Sequence, residues 1–551
     1  MSGSESVTPG SLIDLLRQRI IGAISTATAP GKWRVVVADR PALKIVSSVL
    51  QMHSVLEQNV VTIQLITRNR QPYPDMDAVY ILVPCADSIS RVIDDFRVDS
   101  RTGELQHRKY ARAHLFFTGA LSDTLLAHLR SSPAARYIKA VAELYIEYNP
   151  IESRVFLTTP SEQPFYALYS PHALNLVSRD LDAAADRLLS VIVSLGIRPY
   201  IRYYRPLSSA PYEALEPSLM SGYGTATACP RIAESMAALI QQKLNDYYSH
   251  ESNTNNSTKR PETLTPSVVI VLDRSVDLYS PLLHEFTYQA LVHDLIDLDG
   301  GNTYTYTLES TDGQSQSAEA ELSEQKDPIW KQLRHWNISE VSQTLADKFE
   351  KLLKDNFGMQ AAKQVSESDR RRLEEVPQCL TINDKRAAVN LCRLGIPTDR
   401  EEEQFGFPSS DQYRWDTVSE PENGHMRSRM VPAVKCIINE QLSDTLSTDL
   451  FPWAKEAPPE SIPKNILNIN ATSLRQTKSS WRRKQKHTKT DTEKKGTIVV
   501  YIAGGVTLAE MRSVYELADT LKRDIYIGST HVITPRGFLD DMKSLHLKML
   551  L

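Results

Sequence analysis

The chain has 551 residues, 41% of them hydrophobic and 24% charged, enough apolar material for several buried cores, which excludes a disordered protein. Its formal net charge of -4 at pH 7 gives no overall pull toward nucleic acid or an anionic membrane, and nucleic acid is not an expected partner. Cys85, Cys229, Cys379, Cys392 and Cys436 are odd in number and form no C-x-x-C pair, which excludes a disulfide framework and a zinc knuckle and points to a reducing compartment.

The N-terminal stretch "MSGSESVTPGSLIDLL" has no basic segment followed by a long apolar run, and no window holds the ~18 apolar residues of a membrane span. A cytosolic protein is expected, meeting membranes only peripherally or through partners. "KWRVVVADR" (Lys32–Arg40) and "AVYILVPC" (Ala78–Cys85) are short, nearly continuous apolar runs, as strands buried on both faces of a parallel sheet should be. Between them Leu43, Val46, Val49, Leu50 and Leu56 recur near helical spacing, and "VVTIQLI" (Val60–Ile66) reads as another strand. "AHLFFTG", the helical "DTLLAHLRSS" and "YIKAVAELYIEY" continue the alternation. A doubly wound α/β domain is expected over 1–148.

A second α/β segment is expected over 149–258, with helices over Asp182–Leu195 and Arg231–Tyr248. The polar, proline-punctuated run Ser249–Pro266 reads as a linker, so a new, mostly helical domain is expected over 259–495. From Asp327 onward Ile338, Val341, Leu345, Phe349 and Leu352 make one apolar stripe. The basic run Ser480–Lys495 lacks periodicity and reads as the linker that ends this domain. The closing segment 496–551 returns to strand, helix, strand, helix. It is short for a sheet of its own and is expected to complete the second α/β domain across the insertion.

Motifs for chemistry are absent. There is no G-x-x-x-x-G-K-[ST] and no G-x-G-x-x-G after the first strand, and the glycine pair of "YIAGGVTLAEM" is explained by a tight turn. His284-Glu285 is followed at the fourth place after His284 by Tyr288, not by the second histidine a zincin needs. There is no G-x-S-x-G elbow. The segment "LDRSVDLYSPLLHEFTYQALVHDL" nevertheless gathers Asp273, Arg274, Asp277, Pro281, His284 and Glu285 behind an apolar run. One reading is a hydrolase using Asp273, Asp277 and His284. The other is a polar brace at a domain junction, with Asp273 satisfying turn amides, Arg274 bridging to another segment and Pro281 opening a helix. The lack of a nucleophile or metal motif favours the brace, and neither a metal nor a cofactor is expected.

That segment resembles the signature of the Sec/Munc-type (SM) family, cytosolic syntaxin-binding regulators of SNARE-driven membrane fusion. "VVYIAGGVTLAEMRSVYEL" with "IYIGSTHVITPRGFLDDM" resembles the family's C-terminal signature. "KWRVVVADRPALKIVSSVLQMHSVLEQNVVTIQLI" with "PYPDMDAVYILVPCADSISRVIDDF" resembles its first domain, most closely in the exocytic, plasma-membrane branch. The resemblance implies an arch-shaped scaffold of two α/β domains and a largely helical third domain, without enzymatic activity. It implies a syntaxin-type SNARE as partner and allows the assembled SNARE complex as a second. Carried over position by position, it implies cavity contacts at Lys44, Gln51, Gln64, Arg68 and Gln71. It also implies a pocket for the syntaxin N-terminal peptide at Leu126, Ile138 and Val141, rimmed by Glu143; the alternative reading is that these apolar residues only pack the helix on the sheet. Within Arg370–Asp399 the sequence passes from the approach to the family's long helical hairpin almost directly to its later part, so that hairpin is expected to be missing. Golgi and endosomal members share the arch and remain the alternative for the trafficking step.

Overall fold

The computed structural model describes residues 10–27, 31–98, 105–159, 161–170, 172–205, 231–253, 266–296, 298–299, 301–309, 315–355, 427–428, 430–455, 457–458 and 495–545. Helix α1 (Leu12–Thr26) starts at Ser11, whose Oγ accepts from the Asp14 amide. Leu12, Leu16, Ile20 and Ile24 are buried, a spacing of four that puts them on one helix face. α1 was not foreseen from the sequence, although this stripe announces it.

The first sheet is built from β1 (Arg34–Ala38), β2 (Val60–Leu65), β3 (Asp77–Leu82), β4 (Ala113–Phe117) and β5 (Ile138–Glu143), all parallel, in the order β2-β1-β3-β4-β5. Every residue of β1 and β4 is buried, the reason these strands read as unbroken apolar runs. Helices α2 (Arg40–Val49), α3 (Ala86–Asp95) and α4 (Asp123–Ser131) connect them. The order reverses between β1 and β3, where doubly wound folds commonly open a ligand crevice. Here Asp39 closes it. Its Oδ1 accepts from the Ala42 amide at 2.9 Å, and its Oδ2 from the Val83 amide at 2.7 Å and the Ser88 hydroxyl at 3.1 Å.

The chain continues through β6 (Asn149–Glu152), β7 (Val155–Leu157), α5 (Pro164–Tyr169), α6 (Leu174–Leu195), β8 (Tyr200–Tyr203), α7 (Ile232–Asn253) and β9 (Val268–Asp273). It then passes through α8 (Tyr288–Leu295), the antiparallel hairpin β10 (Thr303–Glu309) and β11 (Ser315–Glu321), α9 (Pro328–Leu333), α10 (Ile338–Asp355) and α11 (Ala433–Leu442). It closes with β12 (Ile498–Ala503), α12 (Leu508–Leu521), β13 (Ile525–Ser529) and α13 (Pro535–Ser544). The second sheet has the order β8-β9-β12-β13-β7-β6, parallel except for the terminal β7–β6 pair. The last segment therefore supplies two inner strands to a sheet begun before residue 204.

This topology corrects the expected boundary between 258 and 259. β9 pairs with β8 on one side and β12 on the other and is buried throughout, so it belongs to the middle of the second sheet. The polar run before it is a connection between two strands of one sheet, and its composition could not reveal that both neighbours of β9 are distant in sequence. Two further corrections concern the third region. Pro281 opens only the short turn Ser280–Leu282, and the helix begins at Tyr288. The β10–β11 hairpin was missed, although the alternation "TYTYT" signals a strand. In the predicted stripe Val341 is buried and Leu345 half-buried, while the Phe349 and Leu352 side chains lie outside the described residues. Arg370–Asp399, and with it the expected loss of the helical hairpin, lies outside them too, as does nearly all of the basic run that ends at Lys495. Among the described residues no helix is long and apolar enough to cross a membrane.

Candidate functional site

The signature segment leaves the C-terminal end of β9 in a short turn over Arg274–Val276, capped by Asp273, whose Oδ1 accepts from the Ser275 amide at 3.0 Å. Arg274 is fully buried. Its Nη2 and Nη1 donate to the two oxygens of Glu510 at 2.6 and 3.0 Å, its Nη1 also to the Gly505 carbonyl at 3.1 Å, and its Nε to the Asp277 carbonyl at 2.8 Å. Glu510 also closes the capping box of α12 by accepting from the Thr507 amide at 2.8 Å. The glycine pair makes this approach feasible. Gly504 and Gly505 have φ of +100° and +102°, and a Cβ on Gly505 would stand 2.2 Å from Ile533 Cδ1.

A second pair runs in the opposite sense. Arg512 Nη2, two residues beyond Glu510, donates to Glu285 Oε1 at 2.7 Å, and Lys435 Nζ on α11 meets Glu516 at 2.8 Å. Each partner carries a charge that burial would otherwise make costly. The signature segment is thus cross-braced to α12 by two arginine–carboxylate contacts.

Asp277 has a different task. Pro432, at the N-cap of α11, has no side-chain oxygen to cap with. The Asp277 carboxylate takes its place, accepting from the Ala433 amide at 3.2 Å as well as from Ser280 N at 2.9 Å, Ser280 Oγ at 2.6 Å and Tyr279 N at 3.1 Å. Burial pushes its pKa up to about 6 against the pull of Arg274, with the Glu510 charge adding to the rise. Asp273 is also pushed up by burial. His284 Nδ1 lies 2.6 Å from Asp294 Oδ2, and that carboxylate raises the pKa of the imidazole. Asp273, Asp277 and His284 thus each have separate partners and do not form one reacting constellation. Sequence reasoning missed Glu510 and Arg512; the T-x-x-E capping box was visible, but its partner lies over two hundred residues away.

The residues assigned to partner binding divide between the two edges of the first sheet. Lys44 and Gln51 lie in the connection before edge strand β2, Arg68 and Gln71 in the one after it, and all four are exposed. Gln64 differs. It is half-buried in β2, accepts from the Tyr110 hydroxyl at 2.6 Å and donates to the Gln71 carbonyl at 3.4 Å. Tyr110 in turn accepts from Arg70 Nη1 at 3.3 Å, and Arg70 holds Asp95 through two contacts of 2.8 Å. Gln64 is therefore tied into an internal network.

At the opposite edge, Ile138 and Val141 are three residues apart, which in a regular strand places them on opposite faces. A bulge intervenes. Ile138 pairs with Ala113 and Val141 with Leu115, with the register shifting between Ala113 and His114, so both side chains join the face of the outer core to which Ala113 and Leu115 belong. Ile138 is half-buried and Val141 is 40% exposed. On α4, Leu125 packs on that core and Leu126 beside it is half-buried. Glu143 accepts from the Leu121 amide at 2.8 Å and the Tyr145 hydroxyl at 2.7 Å, fastening the turn before α4 to the edge.

A cavity of about 450 Å³ between α6 and α7 is lined by Val177, Ser178, Leu181, Ser235, Ala238, Leu239 and Gln242. It offers no carboxylate, imidazole or amine for acid–base work. Among the described residues no group of three or more His, Cys, Asp or Glu is placed to hold a metal ion.

A model described as the Sec1 family matches residues 34–390 and 381–541, two stretches that meet at 381–390. The chain is similar to "Protein transport protein sec1" of Schizosaccharomyces pombe, 23% identical over 626 positions that cover 96% of this chain and 84% of that protein. It is similar to the protein of the same name in Dictyostelium discoideum, 24% identical over 640 positions covering 97% and 99%. Both alignments run longer than the 551 residues present here. Among solved structures it is similar to the "Unc18-syntaxin 1 complex from Monosiga brevicollis", with a TM-score of 0.69 and 20% identity over 98% of this chain and 100% of that one. The likeness in structure is one of fold.

Proposed function

The chain belongs to the Sec1 family, and from that premise we propose that it regulates vesicle docking and fusion in exocytosis by binding a syntaxin-type SNARE. The observation that carries the reading is a family match running almost the length of the chain, with relatives named as protein transport proteins and a structural neighbour described as a complex with syntaxin 1. It acts as a binding scaffold without catalysis, since the charged residues of its signature segment have structural partners: Arg274 and Glu285 pair with α12, Asp277 with the start of α11 and Asp273 with its own turn. It works in the cytoplasm, peripheral to the plasma membrane or secretory vesicles, and reaches them through its partner.

The exposed Lys44, Gln51, Arg68 and Gln71 contact the syntaxin in the cleft between the first and third domains, and the β5 edge with Ile138 and Val141 takes its N-terminal peptide. The assembled SNARE complex is a second partner. The third domain lacks the long helical hairpin of its relatives; the division of the family match into two stretches that overlap at 381–390 and the excess length of both alignments support this. Affinity capture with the cytosolic regions of plasma-membrane, Golgi and endosomal syntaxins tests the step. Strongest retention by a plasma-membrane syntaxin is expected, and preference for a Golgi or endosomal one would move the protein to another branch.

A further inference from the structure

Two adjacent residues at the base of the β10–β11 hairpin reach in different directions. Glu324 reaches the second sheet: its Oε2 accepts from the Ser153 amide at 3.0 Å in the β6–β7 turn, and its Oε1 from the Tyr515 hydroxyl of α12 at 3.1 Å. Gln325 reaches α1, its Oε1 accepting from Arg17 Nη2 at 3.1 Å. The hairpin departs from this point, its base closed by the Leu322 amide donating to the Asn302 carbonyl at 2.8 Å. A two-stranded hairpin is marginal by itself, and this one exposes the stacked rings of Tyr304 and Tyr306. Its direction depends on how the base is held.

Arg17 is engaged along its whole guanidinium. Nε donates to the Val49 carbonyl at the end of α2 at 3.0 Å, and Nη1 to Asp14 at 2.9 Å. α1 itself is fastened to both α/β units, through the Leu12 amide to the Ser153 carbonyl at 2.8 Å and through Arg19 Nη2 to the Leu144 carbonyl at 2.6 Å. A guanidinium presents its donors in a rigid planar fork. Binding Val49 and Gln325 at once restricts their relative orientation.

We propose that Arg17 is a hinge pin that fixes the angle between the first sheet and the β10–β11 hairpin. It joins the end of α2, next to the cleft residue Gln51, to the hairpin base, so a partner that displaces one displaces the other, with the coupling equal in both directions. Only the identity of that partner rests on the proposed function. The pin belongs to the free protein.

The test measures distance distributions by dipolar electron paramagnetic resonance on the full chain, with its five native cysteines replaced by serine and spin labels at Ser47→Cys on α2 and Tyr306→Cys on the hairpin. Gln325 is exposed, so Gln325→Ala leaves the core intact. Losing one charge-assisted hydrogen bond should raise the minor orientation about fivefold, seen as a shifted or broadened distribution. Arg17→Lys, which keeps the charge and loses the fork, should do the same. Arg91→Ala, which removes an exposed pair with Asp87 within α3, should change nothing. Unchanged distributions in both Gln325→Ala and Arg17→Lys, or an equal shift in Arg91→Ala, would overturn the pin. Syntaxin capture by the unsubstituted chain is scored separately, and its failure would remove the functional reading without touching the distances.

Discussion

The Arg274 guanidinium and the Glu510 carboxylate meet through two hydrogen bonds across 236 residues of chain, with neither side chain more than 1% exposed. Removing one member strands the other as a buried, uncompensated charge, a loss of about 3–5 kcal/mol. Arg274→Met is therefore expected to lower the urea-unfolding free energy by that amount. Glu510→Gln should cost a similar amount by leaving Arg274 uncompensated, since a Gln oxygen can still accept from the Thr507 amide and keep the α12 cap. Arg274→Met combined with Glu510→Gln should cost less than the two single losses added together. A loss under about 1 kcal/mol for Arg274→Met would show that the contact does not hold the two segments together.

Asp277 caps α11 from a distant segment, with its pKa pushed up to about 6 by burial. Its value in the unfolded chain is about 3.9. The folded state therefore holds this proton more tightly, so the group's contribution to stability is fully present below about pH 4 and is lost as pH rises to about 6 and beyond. Thermal midpoints across this range should show that slope in the unsubstituted protein and a flatter one in Asp277→Asn. Equal slopes would remove Asp277 as the titrating group.

The β5 edge can be tested without disturbing the core. Val141 is 40% exposed, so Val141→Asp should change stability by no more than about 0.5 kcal/mol. It should weaken a syntaxin N-terminal peptide by a few kcal/mol, since the charge would be buried unpaired in an apolar contact. Ile138→Asp should in addition cost about 1–3 kcal/mol of stability, because Ile138 packs on the outer core. Undiminished peptide binding by Val141→Asp, measured by fluorescence anisotropy, would exclude this edge.

Strands whose residues are buried on both sides, such as β1, were legible because burial writes itself into composition. What the sequence did not disclose is pairing. β9 looks like the first strand of a new domain because its partners β8 and β12 are remote, and Arg274 reads as a bridge without a known far end until Glu510 is set against it. The bulge that turns Ile138 and Val141 to one face is equally silent, since it depends on the register against β4. By contrast, α1 and the "TYTYT" hairpin carried readable periodicity at spacings of four and two.

The proposed loss of the hairpin from the third domain has its own consequence. Large interfaces bury more than ~2,000 Å², and a third domain without the hairpin would offer less of one wall. Reconstituted liposome fusion should show little stimulation by this chain compared with a hairpin-containing relative. Equal stimulation would mean that the segment is dispensable.

Binding itself is the most direct measurement. Isothermal titration of the full chain with the cytosolic region of a plasma-membrane syntaxin should give saturable one-to-one binding, weakened when the exposed Lys44 and Arg68 are both changed to Glu. Absence of binding to any syntaxin, from any compartment, by the folded, unsubstituted chain would contradict the account.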